Sequence, residues 1–250
     1  METQYRKDAR VAIIALPPLF ADGTSLARGA AELEELRQEI AWDRDIRCLV
    51  VSGRNVFAAP DAAQRSYVQL YNSDLPEPLT PAAVLARFDI PTIAVIEADA
   101  RGPGLELALA CDLRVCSPAS RFSMDHLKTD DLPMDGGIQR LGRLVGRGAA
   151  LGLVLIPEQL DAEAARAMGL VTRIAERPME LALTLANGIG EMAPVAVRYS
   201  KEALQKGMDM SLEQGLRLEA DLYFLLQCTD DRTRGISAFQ GKTRPQYEGR

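Results

Sequence analysis

Three short segments of this chain are apolar almost throughout, and a stretch of helical periodicity separates the first two. Val11-Ala12-Ile13-Ile14-Ala15-Leu16 ends at Pro17-Pro18. Ile46-Arg47-Cys48-Leu49-Val50-Val51 and Thr92-Ile93-Ala94-Val95-Ile96 follow. A strand with one face in water alternates apolar and polar residues; runs like these suit parallel strands covered on both faces. Between the first two, residues 25–42 place Leu26, Ala30, Leu33, Leu36 and Ile40 on one helical face. Leu113-Arg114-Val115-Cys116 and Arg121-Phe122-Ser123 read as two further short strands. The class is therefore α/β.

The second half reads mostly as helix. Segments 136–145, 148–155 and 162–168 are short helices, and a strand is expected at 170–174. Longer helices are predicted over 178–192, 194–207, 211–228 and 230–239. Residues 71–81 form the one loop rich in proline and polar residues, a composition found in binding or gating loops. Glu97 to Gly102 reads as a short connection, with a helix from Pro103 to Ala110.

Composition limits the partners. The chain has 250 residues, 47% hydrophobic and 26% charged, close to globular averages and long enough for a sizeable core. No apolar run approaches a bilayer span, and the N-terminal residues lack a signal-peptide stretch, so a cytoplasmic protein without membrane contact is expected. A net charge of −6 argues against nucleic acid as a partner, while leaving room for a local basic cluster that meets an anionic ligand. Four cysteines and a single histidine make no metal-like cluster, and no metal is expected.

Residues 89–141 carry the most specific pattern. D-I-P-T-I-A-V-I-E-A-D-A-R-G-P-G-L-E-L-A-L-A-C-D-L-R-V-C-S-P-A-S-R-F leads on to D-L-P-M-D-G-G-I-Q-R-L. This resembles the central signature of the crotonase (enoyl-CoA hydratase/isomerase) superfamily. Further similarity lies in Phe57-Ala58-Ala59-Pro60-Asp61 (family F-x-A-G-A-D), in residues 139–150, in Asp161 to Val171 and in Asp231 to Phe239. The motifs follow the family order over nearly the whole chain.

The resemblance implies a spiral of strand-strand-helix units in two stacked sheets. It implies a core over residues 1–190 and a C-terminal helical region over 191–250 used in trimerisation, giving a homotrimer or a dimer of trimers. It also implies binding of acyl-CoA thioesters, with coenzyme A as part of the substrate and no separate cofactor. In such proteins two backbone N–H groups hold the developing enolate oxygen. Carried over, the second donor falls on Pro103, in Gly102-Pro103-Gly104, and the first on Pro60. Proline has no N–H. Ala59 or Asp61 is the stand-in at the first position and Gly104 at the second. A bland account is also open: Pro103 at the first helical position replaces an N–H that needed no partner.

The two acid/base positions fall on Glu106 and His126. Glu106 is read as a general base in a buried helix start, or as a first-turn glutamate favoured by the helix dipole. His126 is read as an acid or base near neutral pH, oriented by Asp130 and Asp131 if the loop folds back, or as a merely surface or hydrogen-bonded histidine. Asp130 replaces a glycine common in the family. Coenzyme A contacts are expected from Arg54, Arg65, Lys242 and Arg244, with Phe239 near the adenine. The functional expectation is an enoyl-CoA hydratase/isomerase-like protein with an altered oxyanion hole. The alternatives are an inactive binding or partner subunit, and a decarboxylase or C–C hydrolase on a related ligand.

Overall fold

The computed structural model describes residues 2–53, 55–59, 64–71, 79–156 and 158–250. In chain order the elements are β1 (Gln4–Asp8), β2 (Val11–Ala15), α1 (Gly23–Trp42), β3 (Cys48–Ser52), α2 (Gln64–Tyr71), α3 (Pro81–Leu85) and β4 (Thr92–Ile96). Then come β5 (Ala100–Arg101), α4 (Pro103–Leu109), β6 (Leu113–Cys116), β7 (Arg121–Ser123), a 3-10 helix (Asp125–Thr129), α5 (Gly137–Val145) and α6 (Arg147–Leu155). The chain closes with β8 (Leu160–Asp161), α7 (Ala162–Ala167), β9 (Arg173–Ile174), α8 (Pro178–Gly190), α9 (Pro194–Gly207), α10 (Leu212–Gln227) and α11 (Asp230–Gly241).

Among the described residues the strands form two sheets, one ordered β1-β2-β3-β4-β6-β9 and one ordered β5-β7-β8. In the large sheet every pairing from β2 to β9 is parallel. The alternation of side chains explains why its strands carry no polar face. Val11, Ile13, Cys48, Val50, Ile93, Val95 and Val115 point to one side, where Ala182 and Ala186 of α8 cover them. Ala12, Ile14, Leu49, Val51, Ala94, Ile96 and Cys116 point to the other, into a core shared with Leu26 and Leu33 of α1 and Leu105 and Leu107 of α4.

Several local outcomes differ from the sequence reading. β1 was not expected: Gln4-Tyr5-Arg6-Lys7-Asp8 is polar and mostly exposed, yet it pairs antiparallel with β2 around Ala9 and Arg10, with Ala9 at φ 51°. An edge strand needs backbone pairing on one side only, so apolar patterning does not reveal it. The strand expected over 170–174 shrinks to Arg173–Ile174, because Leu170 and Val171 are buried and Val171 N–H donates to Ala165 O at the end of α7. The connection after β4 contains β5, whose Ala100 and Arg101 pair with Phe122 and Ser123. Of the proline-rich loop, residues 72–78 lie outside the described set, and its last residue, Pro81, opens α3 behind the cap Thr80.

The C-terminal helices are held by polar ties. Lys201 of α9 donates to Asp112 (2.7 Å) and to Ile90 O (2.8 Å), at the end of the sheet where β4 begins. Asp231, buried at the start of α11, accepts from the backbone of Glu248 and Gly249 and so pins the tail. No helix among the described residues is long and apolar enough to cross a membrane.

Candidate functional site

Helix α4 begins at a backbone geometry that only glycine adopts readily: Gly102, its cap, has φ 52° and ψ −132°. Pro103 follows at the first helical position, where its fixed φ suits a helix start. Gly104 then comes against the Phe57 backbone. A Cβ at Gly104 would lie 1.9 Å from Phe57 O, so no side chain fits there. The Phe57 loop is strapped to β5 by Arg101 N–H to Phe57 O (2.9 Å) and by Arg101 Nε to Ala59 O (3.1 Å). Leu105 N–H and Glu106 N–H both return to Gly102 O. Neither the Gly104 N–H nor the Ala59 N–H has an acceptor among the described residues. These two donors, on adjacent segments, occupy the region expected to hold an oxyanion.

Every residue of α4 is buried, Glu106 completely. Its carboxylate meets the N-terminus of α5 rather than that of its own helix. Oε2 accepts from Asp135 N–H and Gly137 N–H, both at 2.8 Å. Positive potential at a helix start favours this placement. Gly136 caps α5 at φ 82°, and a Cβ on Gly137 would fall 2.6 Å from Glu106 Cγ. The glycine pair of D-G-G-I-Q-R-L therefore makes room for the glutamate. Glu106 Oε1 lies 2.9 Å from His126 Nε2, with the two side chains 0% and 1% exposed. With Glu106 ionised its oxygens only accept, and Nε2 is then the donor.

His126 stands in the 3-10 helix that follows β7. Asp130 ends that helix in the left-handed conformation, φ 55°, so the turn of a family glycine is retained by a residue type that tolerates it. Asp130 N–H donates to Leu127 O and Asp131 N–H to His126 O, which places both aspartates as backbone supports of the turn. At the far end of α4, buried Arg114 donates to Cys111 O (2.6 Å) and Leu170 O (2.7 Å) and fixes the helix that carries Glu106.

Three further side chains join the network, and the sequence reading named none of them. Asp135 is buried; its carboxylate accepts from Tyr67 Oη (2.9 Å), Thr80 Oγ1 and Ala82 N–H (3.3 Å). Burial raises the Asp135 pKa above the usual carboxylate value; the Thr80 hydroxyl opposes this and the nearby Glu106 charge adds to it. Asp135 thus ties α2 and the start of α3 to the loop whose N–H groups hold Glu106. Its position directly before Gly136-Gly137 was the available signal. Tyr67 and Thr80 had none, since only the tertiary fold brings them within reach.

The remaining candidates fall elsewhere. Arg54, Pro60 and the side chain of Arg65 lie outside the described residues. Phe239 is 86% exposed on α11, Lys242 caps that helix at φ 52°, and Arg244 is exposed beyond it. No contact joins these three to Glu106 or His126 among the described residues. Nor does any group of three His, Cys, Asp or Glu side chains there have the arrangement of a metal site.

A two-sheet spiral with a buried glutamate–histidine contact beside a helix start narrows the class of protein, and comparison with known proteins gives the family. The enoyl-CoA hydratase/isomerase family model matches residues 7–250. The putative enoyl-CoA hydratase/isomerase YngF of Bacillus subtilis is 34% identical over 253 residues, covering 97% of this chain and 96% of that protein. The 2,3-dehydroadipyl-CoA hydratase of Escherichia coli is 35% identical over 217 residues, 84% of each chain. The crystal structure of enoyl-CoA hydratase EchA1 from Mycobacterium marinum superimposes with a TM-score of 0.88 at 25% identity, covering 100% of this chain and 99% of that one. The chain belongs to the enoyl-CoA hydratase/isomerase family, and its fold is the crotonase fold.

Proposed function

We propose that this chain acts on an acyl-CoA thioester through an enolate-type intermediate, with Glu106 and His126 as its acid/base pair. The observation that carries this reading is the 2.9 Å contact between His126 Nε2 and Glu106 Oε1, out of solvent. Double-bond migration needs one proton taken and one returned; hydration needs a water deprotonated and a carbon protonated. Two adjacent titratable groups serve either scheme. The thioester oxygen is held by Gly104 N–H and Ala59 N–H, an altered hole in which Pro103 contributes no donor. Coenzyme A is part of the substrate, and no other cofactor is required.

Its nucleotide end meets Arg54, Arg65, Phe239, Lys242 and Arg244. Residues 1–190 form the spiral core and 191–250 the helical region. The exposed Leu212, Leu216, Tyr223 and Phe224 of α10 support assembly of that region into a homotrimer or a dimer of trimers. The protein acts in the cytoplasm.

The test is turnover of the pure protein across a panel of enoyl-CoA thioesters. Glu106→Gln and His126→Ala are each expected to lower the rate about a hundred- to ten-thousand-fold while ligand affinity stays within several-fold. Full activity in either variant overturns the paired mechanism. Pro103→Gly restores a donor and is expected to raise the rate by up to about a hundred-fold.

A second reading rests on Pro103 itself. A buried proline at an oxyanion position supports a partner subunit that binds a thioester without turning it over. It is favoured if no thioester in the panel reacts and both variants bind as the parent does.

A further inference from the structure

A cleft of about 440 Å³ lies at the opposite end of the large sheet from Glu106 and His126, lined by Arg37, Trp42, Arg44, Arg47, Arg198 and Arg250. Arg47 immediately precedes β3, and Asp89 and Ile90, also on its wall, precede β4. Phe57 and Gly102 follow the far ends of the same strands. Five residues of strand at about 3.3 Å each place the two regions roughly 16 Å apart. The volume is in the range of small-molecule sites.

The charges on this wall are poorly matched. Glu34 engages Arg37 and Glu248 engages Arg250. Among the described residues Arg44, Arg47 and Arg198 have no carboxylate at ion-pair distance. Arg47 is 6% exposed, and its terminal nitrogens donate only to carbonyls, Gly190 O at 3.0 Å and Tyr247 O at 2.5 Å. Arg10 donates to the same Gly190 O, so two guanidinium groups share one neutral acceptor. The Arg47 Nε is buried with no acceptor among the described residues. Burial, then the Arg10 charge, lower the Arg47 pKa below its ordinary value. Of the carboxylates on the wall, Asp43 is held by Lys7 at 2.6 Å and Asp89 is the other; Asp231 and Asp45 act on Arg47 only through longer-range charge. In a chain of net charge −6 this is a local excess of positive charge.

Trp42 adds a second, independent feature. It is the chain's single tryptophan, it ends α1, and it is 88% exposed on the rim of the cleft. A bare indole beside guanidinium groups offers a flat apolar face next to anion donors. The matching ligand has a planar ring joined to a multiply charged anion.

We propose that this cleft is a second ligand site that takes a nucleoside phosphate, with Arg44, Arg47 and Arg198 meeting the phosphates and Trp42 stacking on the base. The site stands apart from the thioester chemistry and does not depend on it. Free nucleotides and the nucleotide end of coenzyme A share this chemistry, so the experiment separates them.

Trp42 fluorescence of the full-length protein is followed while ADP, coenzyme A or pyrophosphate is added at physiological salt. ADP is expected to give a saturable change below roughly millimolar concentration, and pyrophosphate at least about tenfold weaker binding. Arg44→Glu and Arg198→Glu alter exposed side chains and preserve the fold, checked by unchanged thermal unfolding. Each is expected to weaken ADP at least about tenfold. Trp42→Phe loses the optical signal but keeps weaker binding by calorimetry. A response to ADP alone assigns the site to free nucleotides; responses to ADP and coenzyme A that both fall in the charge variants assign it to the shared nucleotide group. The proposal is overturned by three results: no saturable ADP binding, ADP affinity unchanged in both charge variants, or pyrophosphate binding as tightly as ADP.

Discussion

Helices α4 and α10 are both rich in apolar residues, yet the chain treats them in opposite ways. All seven residues of α4 are buried, including a glutamate, while α10 buries only Leu222 of its sixteen. Around α4, backbone approaches backbone at Gly104, and Gly137 fits against Glu106. Around α10 a Cβ added at Gly215 meets nothing closer than 3.7 Å, and Leu212, Tyr223 and Phe224 stand 79%, 59% and 67% exposed. The first region is completed by the chain itself and leaves no tolerance. The second presents an apolar surface that one copy of the chain does not cover.

The largest expected effect breaks the first region. Gly104→Ala puts a methyl 1.9 Å from a backbone oxygen that cannot move aside without parting the Phe57 loop from β5. The cost is expected at about 3 kcal/mol or more, read as a loss of urea midpoint or of soluble protein. A stability within about 0.5 kcal/mol of the parent would show that the two loops are not in contact.

Alkaline titration comes next. Burial pushes the Cys48 and Cys111 thiols up to about 12. Between pH about 9 and about 12 the unfolded chain releases these protons and the folded chain keeps them. Stability therefore falls as pH rises, by about 1.4 kcal/mol per pH unit for each thiol. Below about pH 9 neither state has released them and this loss is absent. Cys111→Ala is expected to make the decline shallower in urea unfolding between pH 9 and 11; an unchanged slope would refute the assignment. On the α10 side Cys228 is exposed, and a thiol reagent should label it alone in the folded protein at neutral pH.

Asp135 offers a finer cut into the α4 region. Asp135→Ala leaves the Tyr67 and Thr80 hydroxyls and Ala82 N–H without their acceptor and is expected to cost about 1–3 kcal/mol. Asp135→Asn keeps one oxygen acceptor and removes a buried charge beside Glu106, so it should lie much closer to the parent. Equal losses in the two variants, by thermal unfolding, would mean that the carboxylate's acceptors are not what matters.

The smallest effects belong to α10. Gly215→Ala is expected to stabilise the protein by about 0.5–1 kcal/mol, since the position is helical and open. Tyr223→Ser with Phe224→Ser should move monomer stability little, yet shift sedimentation from the assembled species to the monomer. An unchanged assembly would remove α10 from the interface.

Much of this was legible from the residues alone. Thr92–Ile96, Leu113–Cys116 and Arg121–Ser123 are strands with the limits their apolar runs suggested, and helices α5 to α11 start and stop within a few residues of where period and punctuation placed them. Those features are local, so a linear pattern carries them. The motif spacing also put Glu106 and His126 at two matched positions, and in the fold they touch.

What the chain order could not supply was the company those residues keep. β1 is polar because an edge strand needs no buried face; α3 was not anticipated, and Tyr67 and Thr80 reach Asp135 from 68 and 55 positions away. Whether Glu106 answers the dipole of its own helix or another was also undecidable from spacing. The fold answers with Asp135 N–H and Gly137 N–H at the start of α5. Periodicity and punctuation act between neighbours and determined the elements. The polar contacts of a buried site act across the whole chain, and only the packing of those elements decided them.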